Sequence, residues 1–296
     1  MELSDLQTFA AVARTGGITR AAEALNTVQS NVTQRIKALE AEIGTALFER
    51  HSRGMTLTGA GLRLLPYADR IAALSREALL AARDAGEPMG PLLIGSMETT
   101  AAVRLPTRLA DFHRRFPSVA LSLRTAPTAD LVAGVLDGTL DGAFVAGPIE
   151  HPDLTGVVAF EEELVLVTAR RFETLAALRA ATAASGPTAL VFRAGCTYRQ
   201  RLEQVFNEFG WPAAARIELG TLDGMIGCVA AGMGVALLPR AVVTRHEMIG
   251  SVGLHTLTPS HARVDTLFIH RRAAHRSSAL SAFMASPAGR GHDIAA

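Results

Sequence analysis

The sequence predicts an α+β protein of more than one domain: an N-terminal winged helix-turn-helix, a long linker helix, and a C-terminal α/β domain. Three observations predict it. Residues 5–57 carry three short helical patterns and then a hairpin pattern. Residues 58–85 carry one long alanine- and leucine-rich helical pattern. From Pro91 on, apolar strand runs alternate with amphipathic helices, the rhythm of a sheet with helices on its faces.

Residues 5–14 set Leu6, Phe9, Ala10 and Ala13 at helical spacing, and Gly16-Gly17 stops that helix. Residues 19–25 make a second short helix, with Thr19 as its N-cap and Ala21, Ala22 and Leu25 facing inward. Asn26-Thr27 is the turn. A third helix over about 28–42 buries Val32, Ile36, Leu39 and Ile43, and Gly44 ends it. Leu47-Phe48 and Met55/Leu57 read as two short strands joined at His51-Ser52-Arg53-Gly54. Thr58 caps the long helix, about 58–85, whose apolar residues include Leu62, Leu65, Ala68, Ile71, Ala72, Leu79 and Ala82. Such a helix is expected to pack against a copy of itself. Pro66 brings some irregularity near its start, and the run GEPMGP (86–91) is a linker by composition.

Beyond the linker, residues 92–96, 119–126, 140–147, 163–169, 188–192, 216–220, 234–239 and 264–271 read as strands. Helices are expected over about 101–116, 129–138, 197–209, 222–232 and 276–285. The order suggests a mostly parallel sheet with helices on its faces.

The chain has 296 residues, of which 49% are apolar and 19% charged, so real cores are affordable and disorder is excluded. The net charge of +1 gives no global pull toward nucleic acid or membrane. Any affinity for DNA must come from local placement of charge. Lys37 is the sole lysine; arginine supplies the rest of the positive charge. Cys196 and Cys228 form neither a disulfide framework nor a metal-ligand spacing. The opening MELSDLQTF lacks the basic and apolar regions of a signal peptide. No run is long and apolar enough to span a bilayer. The expected compartment is the cytoplasm.

A helix that enters the major groove must expose short polar side chains early and keep its apolar stripe on the domain. The third helix does so. Gln29, Ser30, Asn31, Thr33, Gln34 and Arg35 are polar between the buried Val32 and Ile36. Gln and Asn can pair with adenine edges, Arg with guanine, and a Thr methyl can touch thymine. Thr27 and the helix N-terminus can take a phosphate. Arg50 and Arg53, on the hairpin, can lie along the backbone or enter a minor groove. The competing reading is a solvated polar face on a small helical bundle.

At this point a resemblance decides. The run from Leu3 to Gly61, through AAEAL, TVQSNVTQRIKALE and LFER…LT.AG, resembles the N-terminal domain of the LysR-type transcriptional regulators. The remainder also resembles the family: linker helix, then a periplasmic-binding-protein-like effector domain of two α/β subdomains. One departure, Asn31-Val32-Thr33 where the family often has Ala/Pro, a hydrophobe and Ser, bears on base preference. The implied division is 1–58 winged helix-turn-helix, 59–87 linker and dimerisation helix, and 88–296 effector-binding domain. Within the last, one subdomain takes about 91–161 and 266–296, the other about 162–265.

Two such subdomains leave a cleft, and ligands of open α/β sheets sit beyond the strands' carboxyl ends. One wall then offers Ser96, Met97, Thr99 and Thr100 after the first strand, Thr128 after the second and Phe144 at the end of the third. In the family these three regions line the cleft. Hydroxyls and free N–H groups suit an anion, although for the threonines ordinary N-capping explains the residue type as well. The other wall offers the segment FRAGCTYR, with Arg193, Cys196, Thr197 and Arg199 at a strand-to-helix junction. An arginine there either clamps a carboxylate or is simply a surface residue. Thr221 resembles a cleft residue of the family. Cys196 at a helix start could carry a lowered pKa, but no base or orienting group accompanies it. No enzymatic motif, cofactor or metal is expected. The expected partners are double-stranded DNA, a small-molecule effector and a second copy, as homodimer or homotetramer. An activator would also meet RNA polymerase. The alternative is a solute-binding or enzymatic α/β protein whose N-terminal domain serves only assembly.

Overall fold

The structure, a computed structural model, describes residues 1–51, 54–183, 185–211 and 215–286. The chain forms two compact units, one of Met1–Ala85 with Asp137–Thr139 and one of the remaining residues from Gly86 onward.

The first unit consists of α1 (Leu3–Thr15), α2 (Ile18–Ala24), α3 (Gln29–Ile43), β1 (Phe48–His51), β2 (Gly54–Leu57) and α4 (Gly59–Arg83). Leu6, Phe9, Val12, Ala21, Val32, Ile36, Leu39, Leu47 and Phe48 form its core. Three expectations fail at helix ends. Leu25, at the end of α2, is exposed rather than facing inward. The extended Gly17, not Thr19, precedes α2, and Ile43 is 40% exposed because Gly44 ends α3 one residue later.

The two strands pair antiparallel, Phe48 opposite Leu57. The hairpin is tied down twice. The Glu40 carboxylate of α3 accepts from the Leu47 and Phe48 N–H groups, at 2.8 and 3.3 Å. The Met55 N–H donates to the Gly16 carbonyl at 3.0 Å. At Gly54 the approach is so close that a Cβ would lie 2.5 Å from the Gly16 oxygen. The φ of +133° there also requires glycine.

Thr58 caps α4 as expected, accepting from Gly61 N–H at 3.1 Å while donating to the Ala46 carbonyl at 2.8 Å. Leu64 and Leu65 join the winged core. Leu65 therefore lies off any seam that α4 offers to a second copy. The large exposed apolar residues of α4 are Leu62, Tyr67, Ile71, Leu74 and Leu79.

The second unit runs β3 (Gly90–Ser96), α5 (Glu98–Val103), α6 (Leu105–Arg115), β4 (Val119–Thr125), α7 (Thr128–Leu136), β5 (Gly142–Ala146), β6 (Leu154–Ala169), α8 (Leu175–Ala181), β7 (Ala189–Val191) and α9 (Thr197–Glu208). It continues with β8 (Arg216–Glu218), α10 (Leu222–Ala230), β9 (Ala236–Pro239), α11 (Arg240–Met248), β10 (Val252–Thr256), α12 (Pro259–Ala262), β11 (Arg263–Arg271) and α13 (Ser278–Ala285). The helix expected over 101–116 is two helices that meet at Arg104. Pro106, which has no N–H to give, starts the second.

The sheet is mixed rather than mostly parallel. Strands β4, β3 and β5 run parallel; β11 is antiparallel to both β5 and β6; β9 and β10 are antiparallel to β6. The cause is β6, whose first half (154–162) falls where the sequence reading placed no strand. Its residues up to Glu163 pair with β11, and from Leu164 on they pair with β9 and then β10. The neighbouring carboxylates at that change-over point to opposite faces. Glu162 takes two hydrogen bonds from Arg104, both 2.8 Å. Glu163 takes two from Arg240, at 2.7 and 3.1 Å, and these hold its carboxyl below the ordinary carboxylate range.

On one face of β3–β5–β11, Ile94, Phe112, Phe144, Phe268 and Phe283 pack as an aromatic-rich core. A second core surrounds β9 and the far half of β6, with Val165, Val167, Met225, Val229 and Val243.

Gly61 tests how firmly the hairpin seats on α4. Helix propensity alone favours alanine over glycine by about 1 kcal/mol. A Cβ on Gly61 would, however, lie 2.3 Å from the Leu47 oxygen, which the Thr58 N–H already fixes at 3.0 Å. Gly61→Ala is expected to destabilise the fold by about 1–3 kcal/mol. A urea-unfolding midpoint equal to or above wild type would contradict this packing.

Candidate DNA-reading face and effector cavity

The outer face of α3 presents Gln29, Ser30 and Gln34 fully exposed, with Asn31 and Thr33 half-buried beside them. Val28, 64% exposed, stands at the start of the same face. Internal hydrogen bonds hold part of it in place. Asn31 Nδ2 donates to Thr27 Oγ1 at 3.0 Å, and the Thr33 hydroxyl donates back to the Gln29 carbonyl at 2.9 Å. Thr27 thus has its hydroxyl engaged from within, one helical turn ahead of Asn31.

Arg35 departs from the sequence expectation. Its guanidinium donates to the Ser4 hydroxyl and to Asp5 Oδ1, the latter at 3.0 Å. It fastens α3 to the start of α1 and is not free for a guanine edge. Arg50 sits on β1 opposite Met55; its side chain and all of Arg53 lie outside the described residues.

In the second unit a cavity of about 280 Å³ opens where strand ends and helix starts meet. Met97, Glu98 and Thr99 reach it from the start of α5. Thr125 to Thr128, between β4 and α7, form a second side. Phe192, Arg193, Cys196 and Tyr198 come from the start of α9, and Leu219, Gly220 and Thr221 from the start of α10. The α7 and α9 sides touch through the Ala129 N–H, which donates to the Gly195 carbonyl at 3.3 Å. The α5 and α10 sides are joined by the Leu222 N–H, which donates to Glu98 Oε1 at 2.8 Å.

Buried polar groups ordinarily find partners. Here Thr99 Oγ1, Thr128 Oγ1 and Tyr198 Oη, all buried and all on this cavity, have none. Burial pushes the Tyr198 phenol well above its ordinary pKa, so it stays a neutral donor. The Thr99 hydroxyl lies near enough to favour the charged phenolate slightly, yet no well-formed hydrogen bond joins the two. Arg193 is exposed at the rim, without an ion pair among the described residues.

Of the sequence-predicted residues, Met97, Thr99, Thr128, Arg193, Cys196 and Thr221 line this cavity. The Thr221 hydroxyl also caps α10, accepting from Gly224 N–H at 3.2 Å. Ser96 and Thr100 are buried next to the lining but not in it, and the Ser96 hydroxyl donates to the Met97 carbonyl at 2.9 Å. Thr197, half-buried, opens α9 outside the lining. Phe144 belongs elsewhere: its ring packs 4.8 Å from that of Phe268, in the core on the far face of β5. Arg199 is engaged with Glu218 at 3.2 Å and Glu203 at 3.7 Å, which leaves it no clamp role in the cavity. The Cys196 thiol is pushed up by burial, which outweighs the pull of nearby N–H groups and Arg199. That is the reverse of an activated nucleophile. Sequence reasoning gave no role to Glu98, Tyr198, Thr125, Phe192 or Leu219. Tyr198 had a legible signal, an aromatic with a polar tip in the first turn of a helix that starts at a strand end.

The first 60 or so residues and the rest of the chain each match a family model. Residues 3–62 match the bacterial regulatory helix-turn-helix protein, lysR family. Residues 85–286 match the LysR substrate binding domain. The HTH-type transcriptional regulator GltR of Bacillus subtilis is 44% identical over 284 residues, 96% of this chain and 95% of its own. The HTH-type transcriptional regulator YofA of Bacillus velezensis is 45% identical over 294 residues, 98% of this chain and all of its own. The crystal structure of CbnR, a LysR family transcriptional regulator, superposes with a TM-score of 0.68 at 26% identity, covering 96% of this chain and 97% of that one. Full-length CbnR with its target DNA gives the same TM-score, covering 97% and 99%. A solute-binding or enzymatic protein with a mere assembly domain at its N-terminus does not fit relatives that are named regulators over their whole length. Helix-turn-helix, linker helix and ligand-binding α/β domain, matched end to end, place this chain in the LysR family of transcriptional regulators, with DNA binding in its first domain and effector binding in its second.

Proposed function

We propose that α3 reads operator bases through Gln29, Ser30, Thr33 and Gln34, with the Asn31 amide oxygen beside them. Thr27 and the α3 N-terminus take a phosphate, and the hairpin carrying Arg50 and Arg53 lies along the backbone. Two copies paired along α4 hold two such heads over an interrupted palindrome. A small carboxylate-bearing effector, bound in the cavity without covalent chemistry, sets the activity of the pair in the cytoplasm. As an activator the assembly would also contact RNA polymerase. The partner change of β6 at Glu163 and Leu164 supports dividing the effector domain into about 91–161 with 266–296 and about 162–265.

The observation that carries the effector reading is the set of three partnerless buried hydroxyls on one small cavity. Each costs about 1–3 kcal/mol while it stays unpaired, and a ligand with oxygen acceptors removes that cost. Thr128→Val keeps the shape and deletes the hydroxyl. The variant is expected to melt at or slightly above the wild-type temperature without ligand, while losing the ligand-dependent rise that wild type shows. A variant that still responds as wild type does would refute the site.

The assembly reading rests on Tyr67, Ile71, Leu74 and Ala78, exposed at alternating spacings of four and three residues along α4. That is the seam spacing of paired helices. Leu74→Glu is expected to yield monomers by native mass spectrometry, with weak operator binding because the two half-sites are no longer linked. A stable wild-type monomer would reject it.

For base reading, Gln29→Ala should weaken binding to the specific operator by about 1–3 kcal/mol. Unrelated DNA should be bound nearly as before. An equal loss on both, in titrations at one fixed salt concentration, would remove Gln29 from sequence readout.

A further inference from the structure

The cavity carries two charges of opposite sign, on different walls. Arg193 stands at the α9 rim. Glu98 stands on the α5 wall, half-buried. Among the described residues neither forms an ion pair, with the other or with any third side chain. Among the described residues the single partner of the Glu98 carboxylate is the Leu222 N–H, on Oε1, and none engages Oε2. A ligand bearing only a carboxylate would answer Arg193 and the hydroxyls, but it would bring a second anion beside Glu98. A ligand bearing only an ammonium would answer Glu98, but it would set a cation against Arg193 and the positive ends of α7, α9 and α10. A half-buried carboxylate that faces a ligand without a counter-charge costs binding, whereas one that meets an ammonium gains a charge-assisted hydrogen bond.

We infer that the effector is a small amino-acid-like zwitterion. Its ammonium donates to Glu98, and its carboxylate accepts from Thr128, Tyr198 and Arg193. The size agrees: 280 Å³ lies just under the range of pockets that take drug-sized molecules. Thr99, on the same turn as Glu98, can either donate or accept, and so serves a polar side chain or either end of the zwitterion. The apolar patch of Met97, Ala126, Phe192 and Leu219 leaves room for a short side chain. This inference rests on the effector reading above and adds a cationic group to the anion that reading requires.

The test uses the full chain. The proteinogenic L-amino acids are screened by thermal shift. Those that bind are titrated calorimetrically beside the carboxylate of the same skeleton lacking the amino group. At least one amino acid is expected to bind, and its deaminated partner to bind about 10- to 100-fold more weakly, the worth of a hydrogen bond to a charged group. Glu98→Gln keeps an oxygen that can accept from Leu222 N–H but removes the charge. It should weaken the amino acid about 10- to 100-fold and bring the two ligands close to equal affinity. Deaminated carboxylates that bind as tightly as, or more tightly than, the amino acids, in the wild type and with Glu98→Gln alike, would overturn the zwitterion while leaving the anion site standing. Binding by neither series would overturn the zwitterion too, and an unchanged metabolite response in Thr128→Val would then show that the cavity itself was the wrong site.

Discussion

Everything in the effector domain hangs on one continuous strand. β6 is 16 residues long and serves two sets of neighbours. Residues 154–163 run along β11 with a bulge at Ala159, and the rest along β9 and β10. A strand cannot break its ladder in the middle without leaving donors and acceptors unpaired. The hand-over therefore happens within one step, between Glu163 and Leu164, and two arginine–carboxylate pairs brace it from opposite faces. Bidentate pairs of this kind fix geometry as well as charge.

The cavity shows the opposite economy. Other polar groups nearby have partners within the fold: Ser96 turns to its neighbour's carbonyl, Thr221 caps its own helix, and Arg199 settles between two glutamates. Only around the cavity do several buried hydroxyls collect without partners. A fold that minimised its own free energy would have valine at Thr128 and phenylalanine at Tyr198. Threonine and tyrosine at these positions forgo that stability.

How much of this was legible follows from what periodicity can and cannot carry. The stripe Val32, Ile36, Leu39 identified α3 because only one helical face can be buried there. The strand-end rule found Thr99, Thr128, Arg193 and Thr221 because it depends on local order alone. What failed depended on distant partners. Arg35 looked free because Asp5 lies 30 positions away, and the pairing of Arg104 with Glu162 spans 58 positions. Phe144 failed for another reason. All five residues of β5 are buried, so the alternation that would say which face a side chain takes is silent.

Glu40 has a mechanical meaning for the reading head. Its carboxylate belongs to the same helix as Gln29 and Gln34, yet it holds the first N–H groups of the hairpin. Gly54, at the start of β2, is in turn pressed on the Gly16 carbonyl, with no room for even a methyl group between them. Helix and wing are thus tied together, and the ties resist opening or closing to suit a groove. Whatever misfit remains on contact must be absorbed by the duplex. Sequences that bend and change groove width at low cost are then selected even at base pairs that no side chain reaches.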